Sequence, residues 1–164
     1  MRILKQPEFG QMEYLMRIEA LQYAAQQSRC LKAACGALIV DGLEIISKGA
    51  NGPAGDEPCR CQDEYQLLIN NRHDLTCCMH AEWRAIISAL KVKAFRLPIS
   101  KLLFVRLTSD KKRLAICDNI YCTVCSRMIL DCKIKEVILL QSQGLTAYTA
   151  QEFNDLSFKY YKNN

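Results

Sequence analysis

The sequence predicts an α/β fold, a mixed β-sheet flanked by helices, and three observations carry that prediction. Apolar residues recur at three- and four-residue intervals in some stretches and run together as short Val-, Ile- and Leu-rich blocks in others. The two kinds of stretch alternate along the chain, the order in which strands and covering helices build a layered domain. With 164 residues, 50% of them hydrophobic and 24% charged, the composition is that of one globular domain over 1–164 with a substantial buried core.

Over residues 8–29, Met12, Leu15, Ile18, Leu21 and Ala25 share one face, so an amphipathic helix is expected to cover one side of the sheet. Residues 35–41 and 43–49 are rich in Ile, Val and Leu, and Asp41-Gly42 between them supplies the positive φ of a tight hairpin. The stretch 50–79 carries Gly52, Pro53, Gly55 and Pro58; a connection of that length inside a compact domain calls for a function or an anchor, such as a second metal. Residues 81–93 read as a helix with Ile86, Ala89 and Leu90 on one face and His80 and Glu82 at its first turn, where the macrodipole favours negative charge. Residues 102–107 read as a strand, 123–132 as a helix and 137–140 as a strand buried on both faces. Thr149-Ala150-Gln151-Glu152 is a capping box opening a last helix, along which Phe153, Leu156 and Tyr160 share a face.

A net charge of +5 suits an anionic substrate but lacks the strong basic stripe of nucleic-acid-binding proteins. The opening Met1-Arg2-Ile3-Leu4-Lys5-Gln6-Pro7 has no apolar run of signal-peptide length, and no later stretch approaches a membrane span. A cytoplasmic protein with no membrane partner is therefore expected, and its ten cysteines read as reduced thiols, some bound to metal, rather than as disulfides.

The chemistry concentrates in two stretches, Thr76-Cys77-Cys78-Met79-His80-Ala81-Glu82-Trp83-Arg84-Ala85-Ile86 and Tyr121-Cys122-Thr123-Val124-Cys125. His80 offers an imidazole nitrogen and Cys122 and Cys125 two thiolates, three of the four ligands of a tetrahedral zinc ion, with the fourth position open for water. Glu82, two residues after His80, is placed to exchange a proton with that water. Alone, the Cys-x-x-Cys pair also fits a structural zinc knuckle or a redox pair, and Glu82 an ordinary first-turn acid; joined to His80 they point to catalysis. Cys122 and Cys125 span a helix start, whose backbone N–H groups would help to keep both sulfurs as thiolates.

At these residues the sequence resembles the zinc-dependent cytidine and deoxycytidylate deaminase superfamily, whose signature is His-x-Glu followed by Pro-Cys-x-x-Cys. The run from His80 to Ala85 and the surroundings of Cys30, Gly49-Ala50-Asn51-Gly52 and Cys77 are most similar to the deoxycytidylate branch, over about residues 15–141. The resemblance implies a cytidine deaminase-like three-layer sandwich with one catalytic zinc. It also implies hydrolytic deamination of a nucleobase, cytosine of a free nucleotide such as dCMP being the nearest analogue, with Glu82 passing protons to the ring nitrogen and to the departing amine. The family commonly forms oligomers, so a homo-oligomer is expected.

Some deoxycytidylate deaminases carry a second zinc. Cys30, Cys59, His73 and Cys77 are the expected ligands here, with Cys61 and Cys78 close competitors and small buried side chains or free thiols the plainer reading. Asn51 matches the asparagine of the family's Gly-Tyr-Asn-Gly, which contacts the substrate's sugar; Asn beside Gly is equally a turn residue. The Ala81 backbone N–H is the matching contact to the base.

Three departures bear on the substrate. Tyr121 stands where the family has Pro before the first cysteine, which loosens the start of that helix and sets a ring near the pocket. Arg84 replaces the Asn of His-Ala-Glu-x-Asn-Ala, as a phosphate clamp or as a solvated helix-surface arginine. Residues 109–119 lengthen the loop before the cysteine pair and add Lys111, Lys112 and Arg113, a solvated cluster or a feature of the site's mouth. Two other functions compete: deamination of a base within RNA or single-stranded DNA, with Tyr121, Trp83 and 111–113 as contacts, and a non-catalytic zinc module. Retention of Glu82 argues against the last, since a structural zinc has no use for that carboxylate.

Overall fold

The structure, a computed structural model, describes residues 1–61, 76–120 and 122–163. Its strands are β1 (Arg2–Ile3), β2 (Cys35–Asp41), β3 (Glu44–Ala50), β4 (Gly52–Pro53), β5 (Cys78–Met79), β6 (Lys101–Leu107), β7 (Leu114–Ala115), β8 (Glu136–Gln141) and β9 (Gly144–Thr149). A seven-stranded sheet runs in the order β1-β9-β8-β6-β2-β3, with β7 alongside β6, and β4 and β5 form a separate antiparallel pair. Among the described residues, only the β6–β8 pairing of the large sheet is parallel, so the sheet is mixed.

Helix α1 covers residues 8–27, α2 is Ala81–Lys93, α3 is Thr123–Asp131 and α4 is Ala150–Asn163. The strands alternate side chains between two faces. Ala37, Ile39, Leu102, Val137 and Leu139 pack on one face against α2, α3 and α4, while Leu38, Val40, Leu103, Val105 and Ile138 pack on the other against α1. The result is three layers, α/β/α. No helix among the described residues is long and apolar enough to cross a membrane.

Local chemistry explains most elements. Gly42 takes a φ of 58° in the β2–β3 turn, and since Asp41 pairs with Glu44 the loop residues are Gly42-Leu43 rather than the expected Asp41-Gly42. The capping box at α4 is formed: the Thr149 amide donates to Glu152 Oε2 at 2.9 Å and the Glu152 amide to Thr149 Oγ1 at 3.2 Å. Phe153 is buried, with Leu156 partly buried against the same cluster.

Two expected faces are corrected. In α1, Leu15–Ala20 is π-helical, and the Leu21 amide bonds back to the Met16 carbonyl. Met12 and Leu15 face the sheet as expected, with Leu21 and Ala25 partly buried beside them, while the wider turn adds Met16, Ala20 and Ala24 to that face and leaves Ile18 41% exposed. In α2 the inward residues are Ala81, Ala85, Ile86 and Ala89, whereas Leu90 is 46% exposed. The short strands β1, β4, β5 and β7, and β9, carried no period strong enough to read.

Candidate metal centre

The site grows from the packing of α2 on β3. Gly49 in β3 faces the first turn of α2, where a β-carbon would lie 2.2 Å from the Ala81 carbonyl oxygen and 2.4 Å from the Ala85 amide nitrogen. Only glycine permits that approach. The buried Ser47 hydroxyl donates to the Ala85 carbonyl at 2.7 Å and fixes the same contact. His80 is thereby held at the N-cap of α2, in extended backbone, with Glu82 in the first turn.

The second arm is the start of α3. Cys122 is its N-cap, and its sulfur accepts from the Cys125 amide at 3.3 Å. Ser126, one residue on, is fully buried and bonds Ser157 Oγ at 2.7 Å and Asn154 Oδ1 at 3.0 Å, tying α3 to α4. These two helix starts bring the three expected donors together: His80 Nδ1 lies 3.1 Å from Cys125 Sγ and 3.4 Å from Cys122 Sγ, and the sulfurs are 2.8 Å apart.

The electrostatics fit a cation between them. The hydrogen bond with Cys125, opposed by burial and aided by His80, lowers the Cys122 thiol and favours its thiolate. Burial and the neighbouring Cys122 push Cys125 the other way. Burial works to lower His80, but the hydrogen bond with Cys122 and the charges of Glu82 and Cys122 outweigh it and raise the imidazole. Glu82 is the one charged side chain fully buried among the described residues, at 8% exposure; burial raises its carboxyl, with His80 opposing. An imidazole and two sulfurs in contact form the donor set that zinc takes where three protein ligands leave a fourth position.

A second cluster is made of sulfur alone. Cys30, Cys59, Cys61 and Cys78 lie with their sulfurs mutually within 4.8 Å. Among the described residues, Cys30 and Cys59 of the expected quartet are thus joined by Cys61 and Cys78, the two competitors. Cys78 is buried on β5, while Cys77 is half-exposed, 3.3 Å from Cys61 Sγ and 3.6 Å from Cys78 Sγ. His73 lies outside the described residues. Burial works to raise Cys59, but the Leu31 amide, 3.4 Å from its sulfur, and the neighbouring cysteines bring it to about 7.

The remaining candidates are placed differently. Asn51 is buried and its amide is occupied within the protein: Oδ1 accepts from Ser28 Oγ at 2.6 Å and from the Cys35 amide at 2.9 Å, and Nδ2 donates to the Ala33 carbonyl at 2.8 Å. It ties residues 28–35 to the end of β3. Arg84 is half-buried, and its guanidinium donates to the Gly52 carbonyl at 3.2 Å and to that of Pro53. Arg29 reaches the carbonyls of Pro53 and Gly55 from the other side. The two arginines hold β4, which pairs with β5 directly before His80. Ala81 is fully buried, Lys111, Lys112 and Arg113 are exposed, and Tyr121 lies outside the described residues. Cys35 and Cys117, not singled out beforehand, are raised chiefly by burial and further by the charge of Glu82.

A three-layer sandwich thus carries imidazole and sulfur donors on two helix N-termini, with a buried carboxylate beside them, a set that could hold zinc. The profile of the cytidine and deoxycytidylate deaminase zinc-binding region matches residues 10–141, and the chain belongs to that family. It is 28% identical over 144 residues to the deoxycytidylate deaminase of Schizosaccharomyces pombe, covering 84% of this chain and 39% of that protein. With the deoxycytidylate deaminase of Saccharomyces cerevisiae it shares 28% over 158 residues, 92% of this chain and 41% of that protein. The chain thus spans about two fifths of the length of these curated relatives. Among solved structures, the dCMP deaminase of cyanophage S-TIM5 superposes with a TM-score of 0.51 at 23% identity, over 81% of this chain and 82% of that one, and so shares the fold.

Proposed function

We propose that this chain is a zinc-dependent hydrolytic deaminase that converts the amino group of cytosine in a free nucleotide such as dCMP to a carbonyl and releases ammonia. The observation that carries this reading is the contact of His80 Nδ1 with both Cys122 and Cys125 sulfurs beside the buried Glu82. The yeast relatives, both deoxycytidylate deaminases, support the choice of nucleotide.

His80, Cys122 and Cys125 would hold the zinc, which when bound supplies the Lewis acidity that makes a water nucleophilic near neutral pH. Glu82 then acts as proton carrier. A buried carboxylate costs several kcal/mol of lost hydration unless compensated, roughly speaking, so its retention at this spot calls for a use. Accepting a proton as water adds to the carbon bearing the amine, and returning it to the leaving nitrogen, is that use. The Ala81 amide, at a helix position with no acceptor inside the helix, is the proposed contact to the base. Cys30, Cys59, Cys61 and Cys78 would hold a second, structural zinc, since four thiolates close a tetrahedron and leave no place for water. The proposed form is a cytoplasmic homo-oligomer, which light scattering would check.

Glu82→Gln is the test. It removes the proton carrier and leaves the donors intact, so zinc content should stay at the wild-type level while ammonia release from dCMP falls by about a hundredfold or more. Undiminished turnover in that variant would end the assignment. Parallel assays on cytosine, adenine and guanine nucleosides, nucleotides and oligonucleotides would identify the substrate.

A further inference from the structure

Trp83 is the chain's only tryptophan, three residues after His80 and so a neighbour of it across the first turn of α2. The two rings stack, with centroids 4.9 Å apart and planes 16° from parallel. The indole Nε1 is buried and, among the described residues, meets no hydrogen-bond partner.

We propose that Trp83 is a positioning residue for the metal centre: its ring face holds the His80 imidazole in the orientation that aims Nδ1 at Cys122 and Cys125. The inference rests on the zinc reading above. An imidazole turns about two side-chain bonds, and Nδ1 stays within 3.4 Å of both sulfurs over only a narrow part of that range. A parallel ring beside it restricts the turn, because rotating the imidazole out of plane loses the stacked contact and drives its edge into the indole. Packing, not polarity, does the holding. A buried donor without an acceptor is a cost rather than a gain, so nothing about the N–H explains why Trp stands there. Flat aromatic surface does, and phenylalanine should replace it. The same stack occupies one face of the indole, which leaves that face unavailable to a nucleobase.

The test uses the full chain, zinc itself as the probe, and the variants Trp83→Leu, Trp83→Phe and His80→Ala. Zinc affinity is read by competition with a chromophoric chelator, and emission of the single tryptophan is followed as zinc is added. Wild type should hold one more zinc per chain than His80→Ala, and its emission should shift on loading while that of His80→Ala stays constant. Trp83→Leu, which keeps apolar bulk but cannot stack, should weaken that zinc about five- to tenfold, and Trp83→Phe should stay within about twofold of wild type. A Trp of merely structural importance would change melting temperature and leave the affinity of the folded protein alone. Unchanged affinity in Trp83→Leu, or a loss in Trp83→Phe as large as in Trp83→Leu, overturns the proposal. Should Trp83→Leu fail to fold, wild-type emission indifferent to zinc overturns it equally. Equal zinc in wild type and His80→Ala has a different meaning: the zinc reading itself fails and takes the positioning role with it.

Discussion

Gly49→Ala perturbs the contact from which the site is built. The new methyl would sit 2.2 Å from the Ala81 carbonyl oxygen and 2.4 Å from the Ala85 amide nitrogen, and real β-carbon contacts do not fall below 3.0 Å. Both obstacles are backbone, so no side chain can swing aside. The shortfall forces α2 to retreat from β3 by about 0.8 Å, the difference between 3.0 and 2.2 Å. Overpacking of this kind costs about 1–3 kcal/mol. In a domain of this size that lowers the melting temperature by roughly 2–12 °C. The functional loss should be larger. His80 and Glu82 travel with α2 while Cys122 and Cys125 stay with α3, so the donor set opens by nearly the whole displacement. A misplacement of about 1 Å costs on the order of a hundredfold in rate. Melting by circular dichroism, zinc per chain and ammonia release from dCMP would be measured together. The control is Gly42→Ala, where φ is 58° and nothing lies within 4 Å: it should lose about 1 kcal/mol to backbone strain and keep its zinc and turnover. Gly49→Ala with zinc and turnover within twofold of wild type would refute the reasoning.

Three further expectations are independent of that one. In the sulfur cluster, Cys61→Ser and Cys78→Ser should each remove one zinc per chain by elemental analysis while Cys77→Ser keeps it; the reverse pattern would reinstate Cys77. Arg84→Met removes the guanidinium from the Gly52 carbonyl and leaves the Pro53 carbonyl to Arg29, and should cost about 1–3 kcal/mol in urea unfolding, with the ratio of dCMP to deoxycytidine turnover unchanged. A selective loss of the nucleotide would return Arg84 to the phosphate. The Glu8 carboxyl, held at about 2 by Arg2 with help from Lys101 against burial, lies below its unfolded value of about 4.3. A depressed folded pKa contributes stability that is fully present above about 4.3 and lost as pH falls towards 2, so the advantage of wild type over Glu8→Gln should be flat above about pH 5 and vanish between about pH 4 and 2. A pH-independent difference in unfolding free energy would sink it.

Much of the architecture follows from neighbours along the chain. The β2 and β3 blocks, the helices after His80 and Cys122, and the Thr149–Glu152 box are set by apolar period, turn glycine and caps, which act over a few residues and can be read from spacing alone. The same holds for His80 and Glu82 sharing one helix start and for Cys122 and Cys125 sharing another, because three residues on a helix fix a geometry. Other features depended on where distant segments meet. Which four of the sulfurs gather was decided by β4 and β5 pairing and by the path from Cys30 to Cys61, and no spacing encodes that meeting. The contact of Arg84 with the Gly52 and Pro53 carbonyls is another such meeting, about which its sequence neighbours say nothing. Asn51 spends its amide on residues 28–35, a contact that spacing likewise does not encode. Local spacing determined which side chains could act together; only the packing of β3 on α2, through a glycine with no room for a methyl, decided that they stand within reach of one another.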